Sequence, residues 1–182
     1  MEKMELRALG KINLGLDVLG RRENGYHDVR MVMQTVYLYD LITLEKKEEP
    51  GIELATNLSF LPVNENNLAY RAAKLLVDEF QIREGIRITL EKHIPVAAGM
   101  AGGSSNAAAV LYGMNRMFSL GLTEEQLMER GDDPGSGRTL LHLKRHGAGG
   151  RHRGDPDAAS AAAPLLYSPG QTAGECIDEN GL

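Results

Sequence analysis

The chain has 182 residues, 42% of them hydrophobic, with a formal net charge of −5 and one cysteine. That length suits one domain, or one and a fraction, with enough apolar side chains for a packed core. The acidic balance argues against nonspecific binding to nucleic acid or membranes, Cys176 alone cannot close an intrachain disulfide, and the opening MEKMELRALGKINL is too polar for a signal peptide or a membrane span, so a cytoplasmic location is expected.

Residues 4–18, MELRALGKINLGLDV, alternate as a strand does. A polar turn over 20–29, built on Asn24-Gly25, is expected to lead into a second extended run over 29–47. GIELAT, after Pro50, reads as a short strand. The spacing of Leu68, Ala72, Leu75 and Leu76 predicts a helix over 67–80, capped by Asn66 or Asn67. GIRITLEKH at 85–93 is a further strand. A helix is expected from Ser104 to Phe118 and a short one, capped by Thr123, in LTEEQLMER. Sheet plus helices, an α+β architecture, follows for residues 1–130.

Between the last long strand and its helix lies IPVAAGMAGGSSNAAA, residues 94–109. Glycines let a backbone pass close to a ligand, and a helix opening behind them on Ser or Asn caps aims free N–H groups at an anion, favoured also by the helix dipole. No Lys follows the glycines, so the P-loop pattern is not met. Taken alone, the run could equally be a flexible turn capping an ordinary helix.

From Gly131 the sequence loses periodicity and becomes dense in Gly, Pro and Ala, as a poorly ordered tail would. His142, His146, His152 and Cys176 fit no zinc spacing, and no metal site is assigned. Arg138, Lys144, Arg145, Arg151 and Arg153 form a basic cluster without interleaved aromatics, which makes nucleic acid an unfavoured partner.

Three stretches, GKINLGLDVLGRRENGYHDV at 10–29, NNLAYRAAKLL at 66–76 and IPVAAGMAGGSSNAAAVL at 94–111, together resemble the 4-diphosphocytidyl-2-C-methyl-D-erythritol kinases of the GHMP kinase superfamily. The resemblance covers about residues 5–130. It implies a GHMP-kinase N-terminal domain, a two-layer α/β sandwich with a left-handed β-α-β unit, followed by a second domain that is largely missing here. It also implies an enzyme that uses ATP and Mg²⁺ to phosphorylate the 2-hydroxyl of a small substrate carrying a cytidine diphosphate group, a step in isoprenoid biosynthesis by the non-mevalonate route.

Carried over by residue, the resemblance makes Lys11 the catalytic lysine, with Asn13 ordering the substrate hydroxyl. Tyr26 would stack on the cytosine and His27 would hydrogen-bond its edge. Pro95, Ala97, Gly99, Gly102, Gly103, Ser104 and Ser105 would surround the ATP phosphates, where a serine hydroxyl could also meet the cation. Another GHMP small-molecule kinase, or a noncatalytic nucleotide- or RNA-binding fragment, remains the alternative.

The family's Gly-(Ala/Ser)-Asp-Val-Pro motif, whose aspartate orients or deprotonates the attacking hydroxyl, is absent from the chain. Suitable codons for residues 135–141, GSGRTLL, read one letter on, spell Gly-Ala-Asp-Val-Pro-Tyr-Cys. The same register turns 144–154 into Arg-Gly-Thr-Ala-Leu-Ala-Glu-Gly-Ile-Gly-Glu, and 168–172 can give Leu-Leu-Ala-Lys-Pro. A frameshift near residue 131 is therefore expected, with 131–182 an aberrant tail and this chain a poor catalyst.

Overall fold

The computed structural model describes residues 1–21, 27–133, 138–139, 166–168 and 173–174. Two long strands, β1 (Lys3–Arg21) and β2 (His27–Lys47), pair antiparallel along their whole length. The ladder breaks register between Leu9 and Gly10, between Asn13 and Gly15, and between Val18 and Gly20. Both strands run into the stretch expected as turn, and Asn24-Gly25 itself lies outside the described residues.

β3 (Ile52–Thr56), α1 (Leu68–Phe80) and β4 (Gly85–Glu91) follow, with β3 and β4 parallel and β4 antiparallel to β2. The sheet order is β1-β2-β4-β3, so β3-α1-β4 is a β-α-β unit. α2 (Gly102–Met117) and α3 (Glu124–Gly131) complete the body. Beyond them, β5 (Asp132–Asp133) pairs with β6 (Arg138–Thr139), while β7 (Leu166–Ser168) and β8 (Ala173–Gly174) pair with the first half of β2. These short strands are the described part of the expected tail.

Alternation decides the layers. Leu6 and Ala8 from β1, Ile42 and Leu44 from β2, and Ile86, Ile88 and Leu90 from β4 all face one side. There they meet Ala69, Ala72, Ala73 and Leu76 of α1 and Val110, Leu111 and Met114 of α2. α2 can lie this close because its contact residue is Gly113: a Cβ there would fall 2.4 Å from Leu44 Cδ1 and 2.7 Å from Leu6 Cδ1. On the opposite face Glu53 receives Lys47 at 2.7 Å and Arg87 at 3.0 Å, and both cations hold its carboxyl below the usual carboxylate range.

Asn67 caps α1, its side chain accepting from the Ala69 N–H at 3.0 Å. Thr123 and Gln126 bond reciprocally, Thr123 N–H to Gln126 Oε1 at 2.9 Å and Gln126 N–H to Thr123 Oγ1 at 3.3 Å, which is a capping box for α3. Two expectations need correction. Leu75 points outward, 40% exposed, because the short side chains Ala69 and Ala73 carry the α1 contact instead. α2 starts at Gly102 rather than Ser104, and its N-cap is Ala101, which has no side chain able to cap. Among the described residues no helix is long and apolar enough to cross a membrane.

Candidate active site

The segment between β4 and α2 is fixed at its entry by polar bonds. Asn57 brackets Lys92, accepting from its backbone N–H at 2.8 Å and donating to its carbonyl at 3.1 Å. Asp40, fully buried on β2, accepts from the N–H groups of His93 at 2.7 Å and Ile94 at 2.8 Å, and pairs with the Lys92 ammonium. A buried carboxylate without such partners would be far too costly to keep ionised.

Beyond Ile94 the chain turns outward. Pro95, Ala97 and Gly99 are exposed, and the backbone is left-handed at Ala97 (φ 60°), Gly99 (φ 68°) and Ala101 (φ 58°). For the two alanines this conformation costs about 1–2 kcal/mol each. The loop is thus held in its shape by its ends. It delivers the chain into α2, whose first N–H groups have no helical acceptor and no capping side chain, with Gly103 exposed beside them. Ser105 spends its hydroxyl on the Leu9 carbonyl at 2.8 Å, so of the expected pair Ser104 alone keeps a hydroxyl unengaged within the described residues.

Lys11 comes to this loop through the backbone. Its N–H donates to the Met100 carbonyl at 3.1 Å, and neighbouring Gly10 is packed by Ile94 and Met100. Its ammonium donates to Asn13 Oδ1 at 3.0 Å, and partial burial lowers its pKa from the ordinary lysine value. The backbone of Lys11, whose ammonium holds the Asn13 amide oxygen, is therefore tied to the exposed loop that leads into an uncapped helix start. Such an arrangement can hold a phosphate and neutralise charge moving onto it.

His27 sits elsewhere. It opens β2, opposite Arg21 and beside Gly174, eight residues along the strand from Thr35, the partner of Lys11. Along a straight strand that is roughly 26 Å. Tyr26 lies outside the described residues, as do His142, His146, His152 and Cys176, the segment where the shifted aspartate motif was read except the backbone of Arg138 and Thr139, and the rest of the basic cluster. The described residues contain no group of three or more His, Cys, Asp or Glu side chains placed to hold a metal.

Sequence reading missed Asp40, Lys92 and Asn57. For Asp40 a signal existed: its alternation with Ile42 and Leu44 puts a carboxylate on the core side of β2.

Residues 67–138 match the family model of the GHMP kinases N terminal domain. The chain is 57% identical over 136 residues to 4-diphosphocytidyl-2-C-methyl-D-erythritol kinase of Lachnospira eligens, covering 75% of this chain and 47% of the relative. A solved structure of 4-(cytidine 5'-diphospho)-2C-methyl-D-erythritol kinase superposes with a TM-score of 0.60 at 37% identity, over 70% of this chain and 44% of that one. The homoserine kinase of Cytophaga hutchinsonii, at 17% identity and TM-score 0.56, shares the fold. The chain spans about half the length of the curated relatives it matches. Through this stretch it belongs to the GHMP kinases, and its α+β body is their N-terminal domain.

Proposed function

We propose that the chain is the ATP-binding half of a kinase that phosphorylates the 2-hydroxyl of 4-diphosphocytidyl-2-C-methyl-D-erythritol. The observation that carries this reading is the bond from the Lys11 N–H to the Met100 carbonyl, which sets the lysine against the glycine loop. Names of relatives at 51–58% identity supply the substrate.

In this reading the uncapped N–H groups at the start of α2 and the exposed backbone of 95–101 hold the polyphosphate. Bound ATP supplies the phosphoryl group. Lys11, partly stripped of water and aimed by Asn13, stabilises negative charge on the group in transit, while Asn13 orients the substrate hydroxyl. His27 and Tyr26 bind the cytosine. That role rests on the resemblance, and it requires either a ribbon curled toward Lys11 or a substrate that reaches along it. Magnesium as cofactor and a cytoplasmic site of action complete the proposal.

A shift of reading frame near residue 131 removes the aspartate on the far side of the phosphoryl group. The family-model match ends at residue 138, shortly beyond the proposed shift, which supports this reading. The purified 182-residue chain should bind ATP yet turn over about 10²–10⁴-fold more slowly than an intact relative, the usual worth of a general base. Robust turnover, together with an unbroken frame on resequencing codons 125–145, would overturn this. Calorimetry with a cytidine nucleotide against mevalonate and homoserine tests the substrate class in the frame-corrected protein, and a preference for either of the latter sinks it.

A further inference from the structure

We infer that Asp40 is a positioning residue for the nucleotide loop, locking the loop's entry to its exit; this rests on the reading that the loop holds ATP phosphates. Its carboxylate engages three consecutive residues at the entry: the His93 and Ile94 N–H groups at 2.7 and 2.8 Å, and the Lys92 ammonium. The exit closes on the same residues. A Cβ at Gly102, the first residue of α2, would stand 3.1 Å from Lys92 Nζ and 3.1 Å from Ile94 Cγ2. Ile94 also packs against Gly10, next to Lys11. One carboxylate on β2 thus sets the relative places of the loop's start, the helix N-terminus and the catalytic lysine.

The chemistry is costly in a way that a purely structural contact would avoid. An ammonium under a helix N-terminus is opposed by the dipole and by burial, and Asp40 is what holds it there. An apolar side chain at 40 would fill the space but leave the His93 and Ile94 N–H groups unpaired. Between these anchors run the left-handed residues Ala97, Gly99 and Ala101, which would relax if either end came loose.

The test compares the 182-residue chain with Asp40→Asn and with Gly102→Ala, which presses on Lys92 and Ile94 from the exit side without touching Asp40. Hydrogen exchange is followed in peptides spanning 92–105 and 68–80, and ATP affinity by displacement of a fluorescent ATP analogue. Asp40→Asn should speed exchange in 92–105 and weaken ATP each about tenfold, the scale of a lost charged hydrogen bond, with 68–80 unchanged. Gly102→Ala should show the same signature at smaller amplitude. Unchanged loop exchange in both variants overturns the lock. Faster loop exchange with unaltered ATP affinity overturns its positioning role. If the unsubstituted chain binds no ATP, the phosphate reading has failed, and the exchange data still decide the lock. Should Asp40→Asn exchange fast throughout, Gly102→Ala carries the decision.

Discussion

β1 has two halves with the same pattern and opposite fates. Over Lys3–Gly10 it alternates, and Leu6 and Ala8 go into the core at 3% and 2% exposure. Over Ile12–Arg21 it carries apolar side chains at the same spacing, yet Ile12, Leu14, Leu16 and Val18 are 39–56% exposed. The difference lies in what stands opposite. α2 packs on the first half through Gly113, and beyond the glycine loop neither α1 nor α2 covers the strand. Alternation therefore says that a strand has an apolar face; it does not say that the chain in hand supplies the cover. The two breaks in register, at 13/15 and 18/20, add a second cause by re-aiming the side chains of the outer half.

The largest effect expected from that contrast is on the covered side. Leu44 is fully buried between Leu6 and Gly113, so Leu44→Ala should cost about 2–5 kcal/mol, as buried leucines do when truncated. Urea unfolding followed by circular dichroism reads it. A loss below about 1 kcal/mol, the range of solvent-facing sites, would mean that the helix layer is not seated as described.

How much of this was legible follows from which forces are local. α1, β4 and α3 could be read because their signals, the Asn67 cap, the 85–91 alternation and the Thr123–Gln126 box, lie within the segments themselves. The start of α2 was misplaced because its position is set from outside: Ser105, expected as phosphate donor or cap, is turned by the Leu9 carbonyl, 96 residues away in sequence. Lys11 and the glycine loop were named from a resemblance, and their meeting depends on a backbone bond that no pattern in either segment announces. The Asp40–Lys92 pair is hidden for the same reason, 52 residues separating its partners. Helical spacing alone puts Leu75 on the same face as Leu68 and Leu76, whereas close packing on the sheet selects the smaller Ala69 and Ala73.

At the junction of the two halves stands Lys11, and the smaller effect expected there depends on pH. Burial lowers its pKa below the ordinary 10.5, so the native state binds protons less well than the unfolded chain at this site. Folding therefore carries a penalty at neutral pH that is relieved as pH rises from the lowered value toward 10.5. ATP affinity has the opposite sign: the anion prefers the protonated lysine and should weaken as pH climbs through the lowered value. Lys11→Met should remove that alkaline limb and weaken ATP by about 1.5–3 kcal/mol, the worth of a charged hydrogen bond. Titrating ATP affinity against pH in both proteins measures it, and an alkaline limb that survives in Lys11→Met would assign the titration to another group.

The smallest effect on stability is expected on the exposed half. Leu16 and Val18 lie near half exposure, so removing their apolar surface takes little out of the folded core, and Leu16→Thr with Val18→Thr should change unfolding free energy by no more than about 0.5 kcal/mol. Threonine is β-branched, a shape that strands favour, so the ladder with Met31 and Val29 has no reason to break. What should change is association. Within the described residues β1 pairs as a strand only with β2, and beyond Lys11, whose N–H is held by the Met100 carbonyl, its outer edge runs beside exposed apolar side chains with no backbone partner described. That combination promotes edge-to-edge pairing between copies. Light scattering of the 182-residue chain against concentration should show association that the double variant reduces, while Leu44→Ala, by loosening the covered half, should increase it. A double variant that loses as much stability as Leu44→Ala would mean that the outer half of β1 is covered after all, and the contrast between the two halves would fall with it.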